Sequence, residues 1–73
     1  MTMRFSARNQ LRGTVKSIKL GAVMGEVIMT LPDGQEIVSA ITRTSIEALN
    51  LKEGEAVVAI IKSTEVMLGR NEE

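Results

Sequence analysis

The chain contains no cysteine and no histidine, and Phe5 is its only aromatic residue. Without cysteine there can be no disulfide and no thiolate metal site. Without histidine, the commonest metal ligand and the commonest general base are missing. With one aromatic side chain, the core has to be aliphatic. An excess of charge is missing too: nine basic and nine acidic residues leave a net charge of zero. A nucleic-acid partner would need a basic excess, so none is expected. Long apolar runs are also absent. The longest, Ala56 to Ile61, falls far short of the roughly 20 residues that span a membrane as a helix. Met1 to Asn9 carries no apolar core of a secretory signal. A cytoplasmic protein with no membrane association is expected, and the absence of cysteine agrees with that.

What is present is aliphatic. Hydrophobic residues make up 44% of 73 residues. That length allows one domain, residues 1–73. A domain this small buries only about 60% of the surface of its unfolded chain and ordinarily needs a staple. Disulfides and thiolate metal sites are ruled out, so the staple left is association with further copies of the chain.

Hydropathy alternates in strand fashion along most of the chain. Met1 to Phe5 reads as a leader. Leu11 to Leu20 places Leu11, Gly13 and Val15 at period two, with polar residues between them. Gly21 breaks that run. Ala22 to Leu31 follows, with Val23, Val27, Met29 and Leu31 on one face. Pro32-Asp33-Gly34 signals a turn, and Gln35 to Ile41 should return as the other arm of a hairpin. One short helix is predicted over Ser45 to Leu49. Thr44 is its N-cap in a capping box with Glu47, and Asn50 ends it in the left-handed conformation. After a turn at Lys52-Glu53-Gly54, Glu55 to Lys62 forms a strand. Its centre, Ala56 to Ile61, is apolar at every position, the pattern of burial on both faces. Glu65 to Gly69 completes a fifth strand. Five strands and a short helix between the third and fourth predict an all-β, five-stranded, partly open OB-like barrel assembled into an oligomer.

Enzymatic chemistry finds little support here. Serines are present without an evident base, and Asp33, Glu36, Glu53 and Glu55 sit at turns and strand surfaces where a carboxylate is ordinarily solvated. Gly13, Gly21 and Gly25 lie in or between strands and mark bulges or close backbone approach rather than a phosphate loop. No cluster of carboxylates offers a cation site. No catalytic residue and no metal-cation ligand is assigned. Three hydroxyl-rich segments without carboxylates stand out instead: Ser6-Ala7-Arg8-Asn9, Thr42-Arg43-Thr44-Ser45 and Lys62-Ser63-Thr64. Taken singly, each reads as a cap, a turn or leader polarity. Together they form a set of donors suited to a tetrahedral dianion, which presents only acceptors.

Read in order, these blocks resemble the molbindins, the free-standing molybdate-binding Mop domains of the TOBE class. The resemblance runs through Ser6-Ala7-Arg8-Asn9-Gln10-Leu11, Gly13-Thr14-Val15, Ala40-Ile41-Thr42 followed by Ser45, and Ile61-Lys62-Ser63-Thr64-Glu65-Val66-Met67. It implies an OB-like domain assembled as a hexamer, a trimer of dimers, with molybdate or tungstate bound between subunits and no organic cofactor. It further implies that one chain contributes Ser6, Ala7 and Arg8 and that its neighbour contributes Thr42, Ser45, Lys62 and Ser63. Arg8 and Lys62 can act through either backbone or side chain. The function expected is intracellular storage, buffering or homeostasis of the oxyanion. Two alternatives remain: a nucleic-acid-binding OB module, opposed by the single phenylalanine and zero net charge, and a purely structural oligomerisation module, opposed by donors kept in all three segments.

Overall fold

The longest element, β1 (Asn9–Leu20), is paired along both of its edges. In the computed structural model, which describes residues 4–72, its first half from Asn9 to Thr14 pairs antiparallel with β4 (Ala56–Ile61). Its second half, from Thr14 to Leu20, pairs antiparallel with β2 (Met24–Thr30). The handover at Thr14 coincides with a register shift between Val15 and Ser17. The extra residue is Lys16, which turns outward to an exposed ion pair with Glu36. A bulge of this kind bends a strand and deepens its twist, so one strand can serve two halves of a half-barrel. Val15, opposite Met29 in the β2 ladder, is hydrogen-bonded on its β4 edge. Its N–H donates to Glu55 O (2.9 Å), and its carbonyl accepts from Gly54 N–H (2.8 Å).

β3 (Glu36–Thr42) pairs antiparallel with β2, giving the sheet order β3-β2-β1-β4. The β2–β3 hairpin turns at the expected place. Gly34 takes φ +93°, open only to glycine at no steric cost, and Asp33 Oδ1 accepts from Gln35 N–H (3.1 Å). Gln35, through its side chain and then its backbone, also holds the Asp33 carboxyl below its ordinary pKa. Met1 to Met3 and Glu73 lie outside the described residues, so the predicted leader is described only at Arg4 and Phe5.

The helix α1 (Arg43–Ala48) starts two residues earlier than the sequence pattern predicts. Thr42, not Thr44, is the N-cap. It ends β3 in an extended conformation, and its Oγ1 accepts from Ser45 N–H (3.1 Å). The two predicted partners of the capping box separate, because Glu47 reaches back one turn to Arg43 instead (3.4 Å). The C-terminus is as the sequence reads. Asn50 adopts φ +52°, its N–H donates to Glu47 O (3.0 Å), and Leu51 N–H donates to Ile46 O (3.2 Å). These two bonds form a Schellman cap.

The core is small. Val15, Val27, Met29 and Ile46 are buried, with Ile18, Ile41, Leu51 and Val57 packed partly against them. Ala56 to Ile61 is apolar throughout, yet in the single chain none of its residues is fully buried, and Ala56 and Ile60 are exposed. The predicted fifth strand, Glu65 to Gly69, does not form; among the described residues there are four strands. The cause is local: Ser63–Glu65 make a 3-10 turn in which Glu65 N–H donates to Lys62 O (2.9 Å). The apolar pattern at Val66 to Leu68 signals a strand, but a strand exists only where an edge accepts it.

Two glycines hold the sheet together by what they lack. A Cβ on Gly13 would overlap the backbone carbonyl of Thr30, and one on Gly25 would overlap the tip of the Ile46 side chain. The backbone cannot yield as a side-chain tip can. Gly13→Ala should therefore destabilise the protein by about 1–3 kcal/mol and Gly25→Ala by less, measured as the shift in the denaturant midpoint.

Candidate oxyanion site

The Thr42–Ser45 donors are set by the end of β3. Thr42 pairs with Met24 at the last position of the β2–β3 ladder, and Arg43 N–H donates to Val23 O (2.8 Å). Thr42 Oγ1 accepts from Ser45 N–H and gives its own proton to Ser45 Oγ (2.7 Å). Ser45 Oγ thus has an acceptor position filled, and its proton remains to be donated elsewhere. Thr42 is exposed and Ser45 is half-buried.

The other two segments come together at the opposite end of β1. Asn9 pairs with Ile61, so the residues preceding β1 run beside those following β4. Ser6, Ala7, Lys62, Ser63 and Thr64 line an open depression of about 260 Å³. Gln10 fixes the approach of the N-terminal segment by donating from its side-chain amide to Ala7 O (2.9 Å). No carboxylate is among the lining residues. Thr64, part of the third hydroxyl-rich segment but not among the residues that the resemblance assigns, also belongs to the lining. Arg8 is exposed and not among the lining residues.

Within one chain the structure therefore joins Ser6 and Ala7 to Lys62 and Ser63, and leaves Thr42 and Ser45 apart. Leu20 pairs with Gly25, next to Met24, which places Thr42 just past the far end of β1. The two donor groups are separated by the length of that strand, roughly 36 Å of path at ~3.3 Å per residue. The resemblance implied a different grouping, with Ser63 on the same chain as Thr42 and opposite Ser6. Among the described residues no group of three or more Asp, Glu, His or Cys could hold a metal cation. No helix of the described residues is long and apolar enough to cross a membrane.

The TOBE domain family matches residues 6–68. This chain is a TOBE domain of the Mop type. The molybdenum-pterin-binding protein 3 of Clostridium pasteurianum is 47% identical over 66 residues, covering 90% of this chain and 97% of the relative. The structure of a molybdate-binding protein from Sporomusa ovata superposes with a TM-score of 0.87 at 41% identity, covering 93% of this chain and all of the other. The cytoplasmic molybdate-binding protein ModG, in a molybdate-bound crystal form, gives a TM-score of 0.80 at 48% identity, covering 84% of this chain and 43% of the longer one. In this Mop-type domain the all-β sheet with one short helix is thus the family's own fold.

The Thr42–Ser45 geometry yields a separable pair of substitutions. Thr42→Val removes the acceptor for Ser45 N–H and should cost about 1 kcal/mol of stability. Ser45→Ala leaves that cap intact and should change stability by less than about 0.5 kcal/mol. Thermal and urea unfolding of the two variants check both expectations.

Proposed function

We propose that this Mop-type domain binds molybdate, and tungstate equally well, as an intact oxyanion between subunits, and serves as an intracellular store or buffer rather than an enzyme. The observation carrying this reading is the carboxylate-free depression of Ser6, Ala7, Lys62, Ser63 and Thr64, found in a chain whose near full-length relatives are named for binding molybdate or molybdenum-pterin. A dianion stripped of water needs donors and nearby positive charge and tolerates no carboxylate beside it. Hydroxyls, backbone N–H groups and Lys62, through its backbone or its ammonium, supply that set. No general base stands near, and the bound ion is not chemically altered.

The separation of the donor groups supports a shared site. Five lining residues at one point leave a dianion short of partners, while Ser45 Oγ–H is unspent at the other end of the strand. A second chain can bring its Thr42 and Ser45 to the first chain's Ser6, Lys62 and Ser63; a single chain cannot without breaking β1. Arg8, next to Ala7 in the chain, would contribute through its backbone N–H or its guanidinium. The assembly meeting these needs is a hexamer built as a trimer of dimers, working in the cytoplasm without an organic cofactor. The molybdenum-pterin in relatives' names marks the competing ligand, and a pterin would need an aromatic or apolar slot that the polar depression does not offer.

Calorimetric titration should show molybdate and tungstate binding with similar affinity and sulfate binding more weakly. Sulfate binding as tight as molybdate overturns the assignment. Ser63→Ala and Ser45→Ala should each lower molybdate affinity about ten- to a hundredfold, the loss of one charge-assisted hydrogen bond of about 1.5–3 kcal/mol. Ser45→Asp should lower it further by placing a negative charge against the ligand. Native mass measurement tests the hexamer, and a monomer at micromolar concentration, with and without molybdate, removes the shared site.

A further inference from the structure

Two of the residues lining the depression, Ser6 and Ala7, belong to a segment that the sheet does not hold. The ladder between β1 and β4 begins only at Asn9, opposite Ile61. Before it, Phe5 to Arg8 carry no regular secondary structure, with a bend at Ser6. Among the described residues, no backbone–backbone hydrogen bond outside the ladders reaches this stretch. Its one side-chain hydrogen bond comes from Gln10, whose Nε2 donates to Ala7 O (2.9 Å). Gln10 is anchored where the segment is not, because it pairs with Ile60 as the second residue of β1. It is exposed and does not line the depression.

We infer that Gln10 is a positioning residue of the oxyanion site, acting through the Ser6–Arg8 segment and not on the ligand. The inference rests on the proposed reading of the depression as that site. Two physical effects carry it. The first is order. A bond between residues three apart closes Ala7 to Gln10 into a ring, so the segment is fixed before an anion arrives. Ordering a residue's backbone is costly, and a site already ordered binds more tightly. The second is polarity. The carbonyl oxygen of Ala7 is an acceptor on a lining residue, and a dianion is repelled by acceptors. Its bond to the Gln10 amide satisfies that oxygen and holds its direction. All peptide bonds of the described residues are trans. In a trans peptide the next N–H points opposite to the carbonyl. The bond that fixes Ala7 O therefore also fixes Arg8 N–H, a backbone donor of the same segment. The amide is suited to this task by its chemistry: a carbonyl only accepts, and the side chain of Gln10 offers two N–H donors without charge.

Gln10→Met keeps the length of the side chain and removes both donors. Calorimetric titration of the variant should show molybdate affinity about three- to tenfold lower, the range expected for one neutral hydrogen bond. Its urea midpoint and native mass should match those of the unaltered protein. Unchanged affinity overturns the inference, and so does a loss of stability or assembly large enough to account for the weaker binding.

Double variants locate the effect. With Ser6→Ala already present, Gln10→Met should weaken binding by a smaller factor than it does alone, because one of the donors it positions is gone. With Ser45→Ala present, on a segment that Gln10 does not touch, the full factor should remain. Equal factors in the two backgrounds assign Gln10 a general structural role and overturn the inference. Backbone NMR relaxation of the anion-free protein reads the tether itself. The order parameters of Ser6, Ala7 and Arg8 should be near about 0.85 and should fall toward about 0.6 in Gln10→Met; unchanged values overturn the inference. The two readings fail differently. An unaltered protein that binds no molybdate sinks the ligand reading and the inference with it, whereas tight binding that Gln10→Met leaves intact sinks the inference alone.

Discussion

The pairing of β1 along both edges is the constraint from which the rest of this structure follows. A twelve-residue strand that gives its first half to β4 and its second half to β2 has to bend where the two halves meet. The bulge at Lys16 provides the bend, and Gly54 and Glu55, just before β4, continue the hydrogen bonds of the β4 edge to Val15. Gly13 lies one residue before the handover because nothing larger fits beneath Thr30. The buried core of Val15, Val27, Met29 and Ile46 forms on the concave side of that bend, closed from one end by α1.

The same strand sets where the candidate chemistry lies. Its N-terminal end, with Asn9 held against Ile61, brings Ser6 and Ala7 to Lys62, Ser63 and Thr64. Its C-terminal end lies beside the β2–β3 ladder that carries Thr42 and Ser45. A rigid strand running between two donor groups holds them apart within one chain and, in an assembly, offers each to a neighbour. On the proposed reading, the stiffness that divides the donors in the monomer makes a site between subunits necessary.

Size works in the same direction. Four buried hydrophobic side chains are a thin core for a domain of this length, and small domains without disulfides or metals are marginal on their own. The apolar residues that the sheet does not cover, at Val38, Leu49, Ile60 and Val66 to Leu68, are the surface through which further copies would add burial. Stability and ligand binding would then have a common source in assembly.

The sequence by itself determined the elements governed by local chemistry. Alternation located β1 to β3, Gly34 and Gly54 marked turns that need positive φ, and Asn50 marked the helix end. The three hydroxyl-rich segments were legible as donors because their composition excludes carboxylates, and the order of motifs identified the family. Only the tertiary structure decided what depends on long-range pairing. Thr42 became the cap in place of Thr44 because β3 delivers it extended to the first turn of α1, which no helix-start signal encodes. That Ser63 lies beside Ser6 within one chain, and apart from Thr42, follows from the register of β1 against β4, and a register is a relation between distant segments. Val66 to Leu68 has a strand's composition but pairs with no strand among the described residues, because pairing requires a sheet edge as well as a pattern, and a 3-10 turn at Ser63–Glu65 follows β4.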